Sequence, residues 1–324
     1  MEYIQFGQTD LRVSRLAFGT WSFGGDWGAV EVEDSRRAIR TALDLGINFF
    51  DTAQAYGFGA SERILGEALA PEIKSHRPGV VLATKGGLRM DGDQLVRDAS
   101  PGWLRRGLAS SLRALGTDYI DLYQIHWPDP HTPFEETATA LDGFVREGKV
   151  RYVGVSNFDA HQMAEFERTR KIDALQPPYH LFRREAEESI FPYCLRHGIG
   201  VLIYGPLAHG LLTGKYTPDV VFPADDWRSK SALFHSQTLR RNLEVVDRLE
   251  QFAGAREFSV GQLAIAWTLA HPAVDVAIVG ARTPSQIQQT APAAGIRLTP
   301  ADLEEIETIM SRAAPVGGPS PETV

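Results

Sequence analysis

The sequence predicts one (β/α)8 barrel, the TIM-barrel architecture, spanning residues 1–314. Three observations lead there. Eight short apolar runs recur along the chain, each followed by a polar or glycine-rich loop and a helical pattern. Helix start signals stand between the runs. No G-x-G-x-x-G opens a helix after the first run, because the glycines of Phe23-Gly24-Gly25-Asp26-Trp27-Gly28 have the wrong spacing; a doubly wound dinucleotide-binding sheet would carry that turn. Strands alternating with helices imply a parallel sheet, and eight such units imply closure.

In order, residues 3–13 predict a hairpin. Tyr3-Ile4-Gln5-Phe6 and Leu11-Arg12-Val13 flank the turn Gly7-Gln8-Thr9-Asp10, whose residues favour chain reversal. Its expected role is a lid over one barrel end. The barrel strands are expected at Leu16–Phe18, Ile47–Phe50, Val80–Ala83 and Ile120–Ile125, then at Val150–Val155, Ile172–Leu175, Gly200–Ile203 and Val274–Val279. Thr132-Pro133-Phe134-Glu135 matches a capping box, and Ser100-Pro101, Thr283-Pro284 and Thr299-Pro300 share the cap-then-proline form. Gly46 is the stop of the first helix. After the seventh strand the chain makes an excursion: a loop from Pro206 to Leu233, then extra helices over Thr238–Phe252 and Val260–Ala270. Loops this long tend to be functional. A further helix is expected over Thr299–Ser311, followed at 315–324 by a tail too rich in proline and glycine to order.

Composition narrows the function. Lys and Arg number 33 against 41 Asp and Glu, a net charge of −8, which disfavours nucleic acid as a partner. Cys194 is the only cysteine, so no intrachain disulfide forms; it reads as a packing residue in a reducing compartment. No basic-then-apolar leader and no membrane-length apolar stretch occur. A cytoplasmic protein with no membrane partner is expected.

In such a barrel the C-terminal strand ends carry the site. The second strand ends in Asp51, the third in Thr84-Lys85-Gly86-Gly87 and the fourth in His126-Trp127-Pro128. The fifth ends in Ser156-Asn157-Phe158, the sixth in Gln176-Pro177-Pro178-Tyr179 and the seventh in Tyr204-Gly205-Pro206-Leu207. Singly, each has a structural explanation: a bonded histidine, a solvated lysine, an acid capping a loop. Asp51, Lys85 and His126 end successive strands on one rim, and a shared site explains all three. Tyr56 follows in the loop after Asp51. Tyrosine has a reference pKa of about 10. An ammonium stabilises its phenolate, a carboxylate holds the ammonium, and a histidine orients a substrate oxygen. Together they deliver a proton to an oxygen that is becoming negative. Carbonyl reduction needs that, plus a hydride source. A metal-dependent hydrolase would want paired histidines on a strand, and the nine histidines are scattered; no metal site is expected.

Several motifs occur together: Gly19-Thr20-Trp21, Asn48-Phe49-Phe50-Asp51-Thr52-Ala53 with Tyr56-Gly57, Ser61-Glu62 and Leu65-Gly66, and Ala83-Thr84-Lys85. They continue with Asp121-Leu122-Tyr123-Gln124-Ile125-His126, Gly154-Val155-Ser156-Asn157-Phe158, and Tyr204-Gly205-Pro206-Leu207 followed by Gly210-Leu211-Leu212-Thr213-Gly214-Lys215-Tyr216. In that order they resemble the aldo-keto reductase superfamily, and most closely the bacterial aldo/keto reductases related to potassium-channel β subunits. The resemblance covers essentially the whole chain. It implies that Tyr56 is the general acid, that Lys85 and Asp51 tune it, and that His126 positions the carbonyl of a small-molecule substrate. It implies NADP(H), bound extended over the barrel mouth. Thr20, Trp21 and Asp51 would meet the cofactor near the chemistry. Ser156, Asn157 and Gln176 would hold the carboxamide and Tyr204 would stack on the nicotinamide. Gly205, Pro206, Leu207, Gly210, Leu212, Gly214 and Lys215 would follow the pyrophosphate. Gly280, Arg282, Gln286 and Gln289 would meet the adenosine, with Arg282 beside a ribose phosphate. Many relatives carry Glu-Asn where Gln289-Thr290 stand here. The substrate walls would be Trp21, Phe23, Trp27, Tyr56, His126, Trp127 and Tyr179, with His180 and Trp227 as further candidates. Two activities fit the resemblance: a carbonyl reductase, or a cofactor-binding sensor with slow turnover. Monomer and homo-oligomer both remain open.

Overall fold

The computed structural model describes residues 1–25, 31–223, 226–314 and 316. Trp27 lies outside these, as does the 315–324 tail apart from Val316, which packs against the core. An antiparallel pair comes first, β1 (Tyr3–Gln5) and β2 (Arg12–Ser14). The barrel follows with β3 (Leu16–Gly19), β4 (Phe49–Asp51) and β5 (Val81–Gly86). A second hairpin, β6 (Leu88–Asp91) and β7 (Gln94–Arg97), leaves the barrel wall at this point. Then come β8 (Ile120–Ile125), β9 (Val150–Ser156), β10 (Ala174–Gln176), β11 (Gly200–Ile203) and β12 (Val276–Gly280). The eight barrel strands are parallel and closed, with β12 bonded back to β3. Each falls on one of the eight expected apolar runs.

The helices are α1 (Val32–Asp44), α2 (Ala60–Ala68), α3 (Ala70–Ser75), α4 (Pro101–Leu115), α5 (Phe134–Arg146), α6 (Ala160–Phe166) and α7 (Ile190–His197). After β11 come α8 (Ser236–Gly254) and α9 (Val260–Ala270), and after β12 α10 (Pro284–Thr290) and α11 (Pro300–Met310). Local signals explain most of their ends. Ser100 accepts from the Trp103 amide, Thr299 forms a capping box with Asp302, and Gly46 takes φ +84 just beyond α1. Two expected caps do not form. Thr132 donates its hydroxyl to Asp129 at 2.6 Å, leaving Pro133 as the N-cap of α5. The Asp129 carboxylate also takes the Ala99 and His131 amides, so the stronger acceptor claims the threonine. Thr283 makes no side-chain cap on α10.

Side chains alternate across each strand, and that alternation builds the site. Ala17, Phe49, Val81, Ala83, Leu122, Ala174, Leu202, Val276 and Ile278 share one buried cluster inside the barrel. Their strand neighbours, such as Phe18, Phe50, Leu82, Tyr123 and Val201, lie in the other cluster, under the helices. The first hairpin seals the lower end. Phe6 is fully buried and meets Phe49 edge-on at 5.7 Å. A side chain at Gly200 would begin 2.9 Å from the Phe6 ring, which explains the glycine at the start of β11. Two residues further along the same inward parity stand Asp51, Lys85, Gln124, Ser156, Gln176 and Tyr204. The apolar filling gives way to polar groups at the upper end.

Candidate active site

Lys85 is fully buried and its ammonium uses all three protons. It donates to Asp51 Oδ1 at 2.6 Å, to the Thr52 carbonyl at 3.0 Å, and lies 3.3 Å from the Tyr56 phenol oxygen. Asp51 Oδ2 accepts from Gln176 Nε2 at 2.9 Å and Gln124 Nε2 at 3.3 Å. Burying such a pair costs several kcal/mol of desolvation, on the order that good geometry and extra hydrogen bonds can offset; both are present. The His126 ring stands edge-on to Tyr56, centroids 5.6 Å apart. Asn157 has φ +62, a left-handed value that suits asparagine. This turns its side chain back over the rim, where Nδ2 donates to the His126 carbonyl at 3.0 Å and Oδ1 accepts from Tyr204 OH at 3.0 Å. The arrangement is a cation wired to a phenol, with its counter-charge anchored by two amides.

A cleft of about 400 Å³ starts at this cluster and runs outward over the barrel rim. Its inner end is lined by Thr20, Trp21, Asp51, Tyr56, Gln176 and Tyr204. Its course follows Gly205, Pro206, Leu207, Gly210 and Lys215, and its outer end meets Gly280, Arg282, Gln286 and Gln289. Thus most of the residues expected around a cofactor share one trench. Ser156 and Asn157 sit behind it: Ser156 Oγ donates to the Gln176 carbonyl at 2.9 Å, so both act on residues of the wall. Leu212 turns its side chain into the core, and Gly214, at φ +71, ends the turn over Ala208–Thr213.

Of the expected substrate walls, Trp21 lines the cleft and stacks on Trp227 at 6.1 Å. Trp127 is buried under the Arg97 guanidinium, 5.0 Å from its ring, so β7 holds it in place. Two expectations need correction. Phe23 is buried against Phe18 in the helix-facing core. Tyr179 is buried between Phe191 and Trp267, and its hydroxyl donates to Glu187 at 2.6 Å. Both are large rings that gain more from burial than from lining a cleft. His180 is also enclosed. Its Nδ1 accepts from the Phe182 amide at 3.2 Å, and burial, then the neighbouring His209 and Arg183, hold its pKa well below the usual imidazole range.

Several participants are absent from the sequence-based set. Gln124 anchors Asp51, and its inward parity two residues before His126 is a signal that identifies it. Ser22, His209, Tyr216, Ser259 and Gly261 also line the cleft. Ser259 and Gly261 belong to the start of α9, remote in sequence from every strand end, and no local pattern marks them.

A model of the Aldo/keto reductase family matches residues 15–311. The chain therefore belongs to the aldo/keto reductase family and is an oxidoreductase of that class. It is 42% identical over 321 residues to aldo-keto reductase YhdN of Bacillus subtilis (strain 168), covering 98% of this chain and 96% of that protein. It is 34% identical to the NADH-specific methylglyoxal reductase of Escherichia coli (strain K12), over 93% and 96% of the two chains. It is also 34% identical to a probable voltage-gated potassium channel subunit beta of Arabidopsis thaliana, over 96% and 97%. The glycerol dehydrogenase AKR11B4 from Gluconobacter oxydans superposes with a TM-score of 0.90 at 39% identity, over 99% and 98%. Among the described residues no helix is long and apolar enough to cross a membrane.

Proposed function

We propose that this protein reduces aldehydes and ketones with NADPH, Tyr56 giving the proton. The observation that carries the reading is the wiring of Lys85, 2.6 Å from Asp51 and 3.3 Å from the Tyr56 oxygen, at the inner end of the extended cleft. An ammonium at that distance stabilises negative charge on the phenol oxygen as its proton leaves. Asp51, held by Gln124 and Gln176, keeps the ammonium aimed at the phenol. His126, beside the phenol, orients the carbonyl oxygen to receive the proton.

The residues present fit a nicotinamide dinucleotide. Amide and hydroxyl groups of Ser156, Asn157 and Gln176 gather beside the Tyr204 ring, and the cations Lys215 and Arg282 lie toward the outer end, where phosphates would pair with them. When bound, the cofactor supplies the hydride taken by the carbonyl carbon. Arg282 supports NADPH over NADH. Trp21 and Trp227 offer an aromatic wall that suits an apolar carbonyl compound. The single, buried Cys194 supports a reducing, cytoplasmic setting.

The test is a turnover screen over aromatic aldehydes, ketones and sugars with both cofactors. The expected result is turnover of an aromatic aldehyde, with kcat/KM for NADPH about tenfold or more above NADH, the value of one charge-assisted contact. Equal use of NADH contradicts the cofactor assignment. The similarity to a probable potassium-channel β subunit favours a second reading, a cofactor-binding sensor; tight NADPH binding without turnover of any carbonyl supports it.

A further inference from the structure

On the outer side of β5, away from the cleft, four buried polar atoms have no hydrogen-bond partner among the described residues. They are Glu62 Oε2, Gln54 Oε1, Ser111 Oγ and Tyr123 OH. They come from α2, the loop after β4, α4 and β8, and they converge. Glu62 Oε1 accepts from Thr84 Oγ1 at 2.7 Å, and Ser111 stands beside the same carboxyl. Gln54 Oε1 and Tyr123 OH both lie against Gly107, where a side chain would begin 2.8 and 3.4 Å from them. At Gly86 it would begin 2.1 Å from Tyr123 OH. Two glycines thus leave room for polar atoms. Buried polar groups are paired almost without exception, so four unpaired ones in one place need a reason.

The neighbour of this cluster is Lys85. Thr84 precedes it and points outward to Glu62, while Lys85 points inward to Tyr56. The backbone N–H of Gln54 donates to the Lys85 carbonyl at 3.0 Å. We infer that Glu62 is a positioning residue for Lys85: it clamps β5 through Thr84, and with Gln54, Ser111 and Tyr123 it encloses a water molecule that completes their hydrogen bonds. One water offers two donors and two acceptor sites, enough for three or four such partners. Glu62 does this as a neutral acid. Burial lifts its carboxyl above the ordinary range, outweighing the Thr84 hydrogen bond, the nearby Ser111 hydroxyl and the positive charges of Arg63 and Lys85. The remaining titratable group facing it is Tyr123, which burial also keeps neutral. A charge there would compete with Asp51 for Lys85, and a neutral acid does not.

The inference rests on the role of Lys85 proposed above, and its test separates the two. Glu62→Gln keeps the shape and the neutrality; Glu62→Leu removes the hydrogen bonds. With NADPH and an aromatic aldehyde, Glu62→Gln is expected to keep kcat and the pH–rate profile. Glu62→Leu should lower kcat about tenfold, the rate equivalent of one misplaced hydrogen bond, with KM unchanged and the profile displaced. A folded Glu62→Leu with wild-type kcat and profile overturns the inference, and so does a Glu62→Gln as impaired as Glu62→Leu. Two readouts need no turnover. Infrared difference spectra of the wild type against Glu62→Gln at neutral pH should show a protonated carboxyl band, and its absence overturns the neutral acid. Folded Glu62 keeps its proton where the unfolded chain loses it, so wild-type stability falls relative to Glu62→Gln as pH rises above 4.5; a constant difference overturns the same point. If the wild type reduces no carbonyl, the proposed function fails while these two measurements still decide the state of Glu62.

Discussion

At the lower end of the barrel the inward positions are Phe49, Leu202 and Val276, sealed by Phe6. At the upper end, two residues further on, they are Asp51 at the end of β4 and Tyr204 just past the end of β11. The lower layer gains stability from dry apolar contact and needs no particular geometry beyond close packing. The upper layer holds a buried ion pair whose value lies in where its atoms point. The difference teaches that one strand can serve both purposes, because the pleat carries a single parity through both layers. Stability and chemistry are therefore separable by mutation.

The largest separation is expected at Lys85. Lys85→Met should reduce turnover about a hundredfold or more, since the phenol loses its charged partner, and should destabilise the fold by about 3–5 kcal/mol by leaving Asp51 buried without its cation. Adding Asp51→Asn should recover much of that stability and none of the turnover. Recovery of turnover in the double variant contradicts the role given to the charge; denaturant melts alongside kinetics decide. The reverse case is Phe6→Ala, expected to cost about 3–5 kcal/mol through the cavity it leaves, with kcat unchanged. A fall in kcat there shows that the two layers are coupled.

A smaller, pH-linked effect belongs to His180, buried behind the upper end. The unfolded chain binds a proton near the ordinary imidazole value of 6.5, and the folded chain does so only well below it. Below pH 6.5 the unfolded state therefore holds more protons, and stability falls as pH falls, by about 1.4 kcal/mol per pH unit within that window. His180→Gln should flatten this part of the stability–pH curve. An unchanged slope removes His180 from the explanation.

Much of this was legible because short-range rules governed it. Strand positions followed from apolar runs between turn residues, Asp51, Lys85 and His126 followed from standing at strand ends, and Tyr56 followed from the motif it shares with Asp51 in the loop after β4. What was hidden depended on competing partners, some of them remote in sequence. Thr132 fits a cap, yet Asp129 outbids the helix for its hydroxyl. Tyr179 looks like a rim aromatic, yet Trp267 stacks on it from α9. The hairpin β6–β7 lies outside the strand–helix repeat, and only Asp91-Gly92 marks its turn, with Gly92 at φ +60. Gln124 reads in sequence as one more residue of a buried strand, and only its inward parity separates it from Tyr123.

The central claim is that Tyr56 supplies the proton. It is tested most directly by comparing steady-state reduction of an aromatic aldehyde with NADPH by the wild type and by Tyr56→Phe, which removes one oxygen. The prediction is a loss in kcat of about 100- to 10,000-fold with NADPH affinity and thermal stability little changed. Near-wild-type turnover in Tyr56→Phe would contradict it.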